Sequence, residues 1–286
     1  MNTATRPVDL SNPPAVGSLL ARHGIWLQKQ RGQHLLVNRD ILDRIVKAAG
    51  LGPESQVLEV GPGIGTLTVA LSQVASRVVA IEIDRRMIGV LHETVTAPNV
   101  DIVEGDALEI DPGPLFAGYP YVMVANLPYG IATPLIRRLL NAPADRRPTE
   151  LVVMVQREVA RRMAAQPGDL SLLGVAVQLL ADVELLFDVP PESFFPPPEV
   201  MSSVVRLRPL PGYRVPPLPS ETRFFQTVTA GFGNKRKQLH NALGTLGVGT
   251  ERIVAALAAA QVDTHRRAET LTLAEWSALS AALWGA

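Results

Sequence analysis

Asn126-Leu127-Pro128-Tyr129 is the segment of this chain best suited to chemistry on an aromatic amine. Such an amine is a poor nucleophile because its lone pair is delocalised into the ring, so a catalyst must favour the geometry in which that pair is free. The Asn126 side-chain oxygen and the Leu127 backbone carbonyl can both accept hydrogen bonds from the amine, drawing it toward tetrahedral geometry as charge develops. Pro128 stiffens the loop, and Tyr129 offers a ring on which an unstacked base can lie. Upstream, Glu59-Val60-Gly61-Pro62-Gly63-Ile64-Gly65 joins an apolar run to a helical pattern, and its glycines let the backbone approach a ligand closely. Its spacing lacks the interval of the dinucleotide fingerprint. Glu82 ends the next apolar run about 20 residues on, where a carboxylate can accept from both hydroxyls of a ribose. Asp106, within Glu104-Gly105-Asp106-Ala107-Leu108, is placed to accept from an adenine amine. In this order the residues describe a pocket for an adenosine-containing cofactor without a pyrophosphate. No dedicated base is evident, and none is required if the proton leaves after transfer. The histidines lack metal-ligand spacing, so no metal cofactor is expected.

These residues need a scaffold that gathers strand ends. Val57–Val60, Val78–Ile83, Val100–Val103, Tyr121–Ala125 and Leu151–Val155 are short apolar runs, most of them followed by a helical pattern such as Pro134–Leu140. Strand and helix taking turns predict an α/β domain: a parallel sheet covered by helices on both faces. Ala176–Leu180, Val183–Phe187 and Ser202–Leu207 are read as further strands that turn the end of the sheet antiparallel. Residues 1–16 are read as a flexible tail, 17–208 as the ligand-binding domain, and 209–220 as a linker crowded with prolines. Beyond it, Glu221–Phe232, Lys235–Leu243, Glu251–Ala260 and Leu273–Leu283 predict a small all-helical domain over 221–286.

Hydrophobic residues make up 47% and charged residues 19% of the 286, enough apolar material for a core and too little charge for global disorder. The absence of cysteine excludes disulfides, thiolate metal sites and a cysteine nucleophile, and fits a reducing cytoplasm. No membrane span or targeting segment is expected. Basic and acidic residues balance at 27 each, yet Arg22–Lys47 holds six basic against two acidic and Arg206–Lys237 seven against one. Such clusters can build a phosphate-binding face on a neutral protein.

Taken together, Gly32-Gln33-His34-Leu35-Leu36, Gly61-Pro62-Gly63-Ile64-Gly65, Glu82-Ile83-Asp84, Gly105-Asp106-Ala107, Asn126-Leu127-Pro128-Tyr129, Gln156-Arg157-Glu158 and Phe195-Pro196-Pro197-Pro198 resemble the ribosomal RNA adenine dimethyltransferase family. Phe232 to Leu239 resembles the family's basic C-terminal helix. The resemblance implies a Rossmann-like class I methyltransferase fold and S-adenosylmethionine as cofactor, with His34 and Leu36 lining its site beside Gly61, Gly63, Glu82, Asp106 and Asn126. It further implies that two adjacent adenosines of small-subunit ribosomal RNA, free or in a pre-assembled particle, each receive two methyl groups; a monomer is expected. Leu35, Gly130 and Glu199 depart from the family pattern, which generally has Phe, Asn and Lys there. Two alternatives stay open: an enzyme that methylates an adenine of large-subunit RNA and confers antibiotic resistance, and a non-catalytic assembly factor that keeps the fold.

Overall fold

The computed structural model describes residues 8–27, 34–216, 218, 220–234 and 236–285. The expectations for Gly32, Gln33 and Lys235, for the start of the tail, and for parts of the basic cluster 22–47 and of the linker 209–220 lie outside the described residues. The chain divides into two compact units, Met1–Ala160 with Glu184–Pro209, and Arg161–Val183 with Leu210–Ala286.

The first unit is built on a seven-stranded sheet ordered β4-β3-β2-β5-β6-β9-β7. Its strands are β2 (Gln56–Val60), β3 (Arg77–Glu82), β4 (Val100–Glu104), β5 (Val122–Asn126), β6 (Glu150–Gln156), β7 (Ala181–Val189) and β9 (Ser202–Pro209). The first five pair in parallel, and β9 runs antiparallel to β6, with Leu151 opposite Leu207 and Gln156 opposite Ser202. Every residue of β6 from Leu151 to Val155 is buried, the continuous apolar run of a strand covered on both faces. A second ribbon pairs β1 (Leu35–Leu36) with β8 (Phe194–Phe195) antiparallel.

Between the strands lie α2 (Arg39–Ala48), α3 (Thr66–Ser72), α4 (Arg85–Thr94) and α5 (Ala132–Leu140). Asn38 caps α2 by accepting from the Ile41 amide, and Ile41, Leu42 and Ile45 on its inner face are buried. The sheet order reverses between β2 and β5: from β2 the chain builds outward through β3 and β4, and it then returns to β5 on the other side. Loops leaving the carboxyl ends of those two strands face a shared crevice, the place where parallel α/β sheets bind ligands.

Residues 13–16 belong to α1 (Pro13–Arg22), not to a flexible tail. Asn12 accepts from the Ala15 amide, Pro13 stands in the first turn, and Val16, Leu19 and Leu20 bury one face. Ala176–Leu180 is not a strand, because Leu172–Gln178 forms α7, capped by Ser171. An apolar run of that length suits either a strand or a buried helix.

In the second unit α7 stands with α8 (Glu221–Phe232), α9 (Leu239–Leu243), α10 (Thr250–Ala259) and α11 (Leu273–Trp284). The helix expected over Lys235–Leu243 is thus confined to its last residues. Residues 210–214 are fastened to the end of α7: the Leu210 amide donates to the Leu180 carbonyl at 2.7 Å, and the Arg214 amide to that of Leu179 at 2.9 Å. Thr272 and Glu275 form a capping box at the start of α11. Trp276, wholly buried, packs beside Phe232 with ring centroids 5.6 Å apart. Among the described residues no helix is long and apolar enough to cross a membrane.

Gly231 lies so near this indole that a β-carbon there would fall 2.4 Å from Trp276 Cη2. Gly231→Ala is therefore expected to destabilise the helical unit by about 1–3 kcal/mol through overpacking. Denaturant unfolding followed by tryptophan fluorescence checks this, and an unchanged midpoint would contradict the contact.

Candidate active site

The crevice at the sheet reversal holds a cavity of about 500 Å³ whose walls include His34, Leu35, Gly61, Gly63, Glu82, Asp106, Asn126, Leu127 and Pro128. That volume is within the range of cofactor pockets. Glycine is required in the loop after β2. Gly61 and Gly63 adopt φ of 69° and 59°, and a β-carbon would meet Pro128 Cδ at 3.0 Å in the first case and Leu35 Cδ2 at 2.8 Å in the second. The glycines thus admit not only a ligand but also the two segments that roof it.

Glu82 ends β3 and is 6% exposed. Its Oε1 accepts from the amides of Ile83 and Asp84, both at 2.9 Å, and its Oε2 from that of Gly63 at 3.3 Å. Burial pushes its pKa above the usual carboxylate range, and the same amides oppose the shift. Three main-chain donors orient the carboxylate and leave acceptor capacity for ligand hydroxyls. Asp106 Oδ1 accepts from the Leu108 amide at 2.8 Å, which turns the carboxylate into the loop after β4. Ile83, 65% exposed beside Glu82, adds an apolar wall suited to a flat ring. At the rim, Arg85 pairs with Glu104, and Arg86 with Asp84 at 2.6 Å. Close main-chain approach at the glycines, an oriented carboxylate and a second acid beyond it fit an adenosine-bearing cofactor.

Asn126 ends β5. Its Nδ2 donates to the His34 carbonyl at 3.1 Å. A carbonyl can only accept, so the amide is oriented with Oδ1 as the group available to a substrate donor. The Leu127 amide is taken up by the Met154 carbonyl at 3.1 Å, fixing the main chain where its own carbonyl would serve. Tyr129 stands outside the cavity wall, beside His34, with ring centroids 5.7 Å apart and planes at 34°. His34 Nδ1 in turn meets the Pro196 carbonyl at 2.8 Å.

The structure therefore gathers His34, Gly61, Gly63, Glu82, Asp106, Asn126, Leu127 and Pro128 around one space. Two expected residues stand apart from it: Tyr129, beside His34, and Leu36. Leu36 belongs to the apolar core with Ile41, Ile45 and Phe194, and its neighbour Leu35 lines the cavity instead, because successive strand residues face opposite ways. Sequence reasoning also passed over Leu35, Ile83 and Glu59. In sequence Ile83 reads as the last apolar residue of the run Val78–Ile83, which hides its exposure.

Glu59, in β2 just below the glycine loop, is 1% exposed, and its Oε2 has no hydrogen-bond partner among the described residues. Burial, reinforced by the charge of Glu82, pushes its pKa from 4.5 up to about 8. The native carboxyl binds a proton that the unfolded chain has already released above pH 4.5. Its contribution to stability is therefore complete below that pH and is lost as pH rises toward 8. Glu59→Gln, neutral at every pH, is expected to flatten this decline. Chemical denaturation between pH 5 and about 8 tests the assignment, and a variant profile parallel to that of the wild type would refute it.

Against known proteins, the chain matches the family described as ribosomal RNA adenine dimethylase over residues 26–283. A protein of Pelotomaculum thermopropionicum named Ribosomal RNA small subunit methyltransferase A is 42% identical over 288 residues, covering 95% of this chain and 96% of the relative. One of the same name from Dehalococcoides mccartyi is 41% identical over 265 residues, covering 92% and 88%. Among solved structures, a dimethyladenosine transferase from Plasmodium falciparum superposes with a TM-score of 0.67 at 29% identity, over 85% of this chain and 94% of that one. The 23S rRNA methyltransferase ErmE does so at 0.66 and 29%, over 87% and 98%. The family match spans both the strand ends that line the cavity and the helices that follow, and on that extent the chain belongs to the ribosomal RNA adenine dimethylase family.

Proposed function

We propose that this protein transfers methyl groups from S-adenosylmethionine to the exocyclic amines of two adjacent adenosines in small-subunit ribosomal RNA during ribosome maturation. The observation that carries the reading is the Asn126 amide, turned by the His34 carbonyl so that its oxygen serves the cavity. When bound, the cofactor supplies a methyl group on a positively charged sulfonium, a reactive donor with a neutral leaving group. Glu82 receives the ribose hydroxyls, Asp106 the adenine amine of the cofactor, and Gly61 and Gly63 keep their side clear for close approach. Asn126 Oδ1 and the Leu127 carbonyl accept from the target amine and direct its lone pair along the line of transfer. Pro128 holds that loop in shape, and Tyr129 provides the stacking surface for the extruded base. The proton is released to water after the new carbon–nitrogen bond has formed, so neither a base nor a metal is needed.

Small-subunit RNA is preferred as substrate because relatives above 40% identity carry that name. The likeness to a 23S rRNA methyltransferase, at 29% identity, supports the large-subunit alternative. Helices α8 to α11 are assigned the contact with RNA phosphates, and the enzyme is taken to act as a cytoplasmic monomer.

Labelled S-adenosylmethionine, offered with unmethylated small-subunit particles, large-subunit particles or naked RNA from each, followed by nucleoside identification, tests the proposal. Dimethyladenosine from small-subunit material alone is expected. Label confined to large-subunit RNA would replace the substrate, and cofactor binding without transfer would favour an assembly factor. Asn126→Ala is expected to reduce transfer at least ~100-fold while S-adenosylmethionine binding, measured by calorimetry, largely persists. Full turnover by that variant would refute the role of Asn126.

A further inference from the structure

Ser202 opens β9, opposite Gln156 of β6, and is fully buried at 0% exposure. Its Oγ lies 2.9 Å from the hydroxyl of Tyr129, a residue 73 positions earlier. The next residue, Ser203, faces the other way and meets Asp188 Oδ1 at 2.5 Å. Of the two serines, strand alternation therefore delivers only Ser202 to the catalytic loop.

That loop is already held at its main-chain end. The Leu127 amide is bonded to Met154, and Pro128 lies where any β-carbon on Gly61 would strike it. Ser202 supplies a second attachment at the far end of the Tyr129 ring, and it does so from the β6–β9 ladder, where Ser202 to Val205 are all buried. A side chain with two torsions, fixed at its Cα and at its hydroxyl, has little freedom to tilt. Burial also raises the phenol pKa of Tyr129 above its ordinary value, so the hydroxyl stays protonated and able to pair with a neutral serine.

We infer that Ser202 is a positioning residue: its hydroxyl anchors the Tyr129 phenol and thereby sets the plane on which the target adenine stacks. This rests on the proposed methyl transfer to adenine. Stacking on an aromatic ring is strongest for parallel, offset planes, and a ring free to tilt gives up part of that contact. Ser202 acts only through Tyr129, so the two hydroxyls form one unit and their loss is felt once.

The test compares wild type, Ser202→Ala, Tyr129→Phe and the double variant on unmethylated small-subunit RNA with saturating S-adenosylmethionine. Each single change is expected to lower kcat about fivefold, the factor that one hydrogen bond of ordinary net strength commands. The double variant should fall no further, and cofactor affinity should not change. A probe RNA carrying 2-aminopurine at the target position adds a reading independent of turnover, since stacking on Tyr129 quenches its fluorescence. The Ser202→Ala and Tyr129→Phe complexes should both be brighter than wild type. Losses that multiply in the double variant, or quenching equal to wild type in Ser202→Ala, would overturn the inference. If Ser202→Ala fails to fold, Tyr129→Phe still decides: full kcat with unchanged quenching overturns it. Absence of transfer by the wild type to any ribosomal RNA would instead sink the proposed function, and this role with it.

Discussion

Pro128 and Gly61 touch across the reversal of the sheet, and the rest of the site depends on that contact. A β-carbon on Gly61 would stand 3.0 Å from the proline ring, so the loop after β2 and the loop after β5 can lie together only if one of them has no side chain at this point. Because they do, the backbone that cradles a ligand and the backbone that carries Asn126 share one surface. The Asn126 amide then reaches the His34 carbonyl, and His34 reaches Pro196. Segments far apart in sequence are thereby fixed to a single point by packing and a few hydrogen bonds.

Two carboxyl groups below and beside the glycine loop divide the electrostatic work. Glu59 is enclosed, with no partner among the described residues for one of its oxygens, and keeps its proton to about pH 8, whereas Glu82 is met by three backbone amides that compensate a negative charge. A neutral Glu59 spares Glu82 a like charge nearby, and the amides oppose the rise that burial imposes on the Glu82 carboxyl.

Much of this was legible in the sequence because it is written in local patterns. Glycines at positive φ, acids at strand ends and five apolar runs in alternation with helices identify the sheet and the floor of the site. What escaped depended on partners. Leu35 and Leu36 form a strand of only two residues, so which of them faces the cavity is decided by pairing with Phe194 and Phe195, not by any repeat. The apolar run Ala176–Leu180 suits strand and buried helix alike, and the helix starts from a cap at Ser171 that lies before the run. The link between Tyr129 and Ser202 joins residues of no local relationship, and no spacing rule reaches that far.

The place of β9 in the sheet also sets an order of assembly. The strands β2 to β6 follow one another along the chain, and each can pair as it is made. The strand that covers the outer side of β6 begins only at Ser202, and the partner of β1 only at Phe194. A nascent chain that has emerged no further than α6 (Arg157–Ala164) therefore presents β6 as a bare sheet edge, a surface prone to mispairing. The glycine loop after β2 and the acids at the ends of β3 and β4 can come together at that stage, but His34 and Leu35 on one side and Tyr129 on the other still lack the partners that fix them. Synthesis of the chain thus lays down the floor of the cavity before the strands that finish its walls.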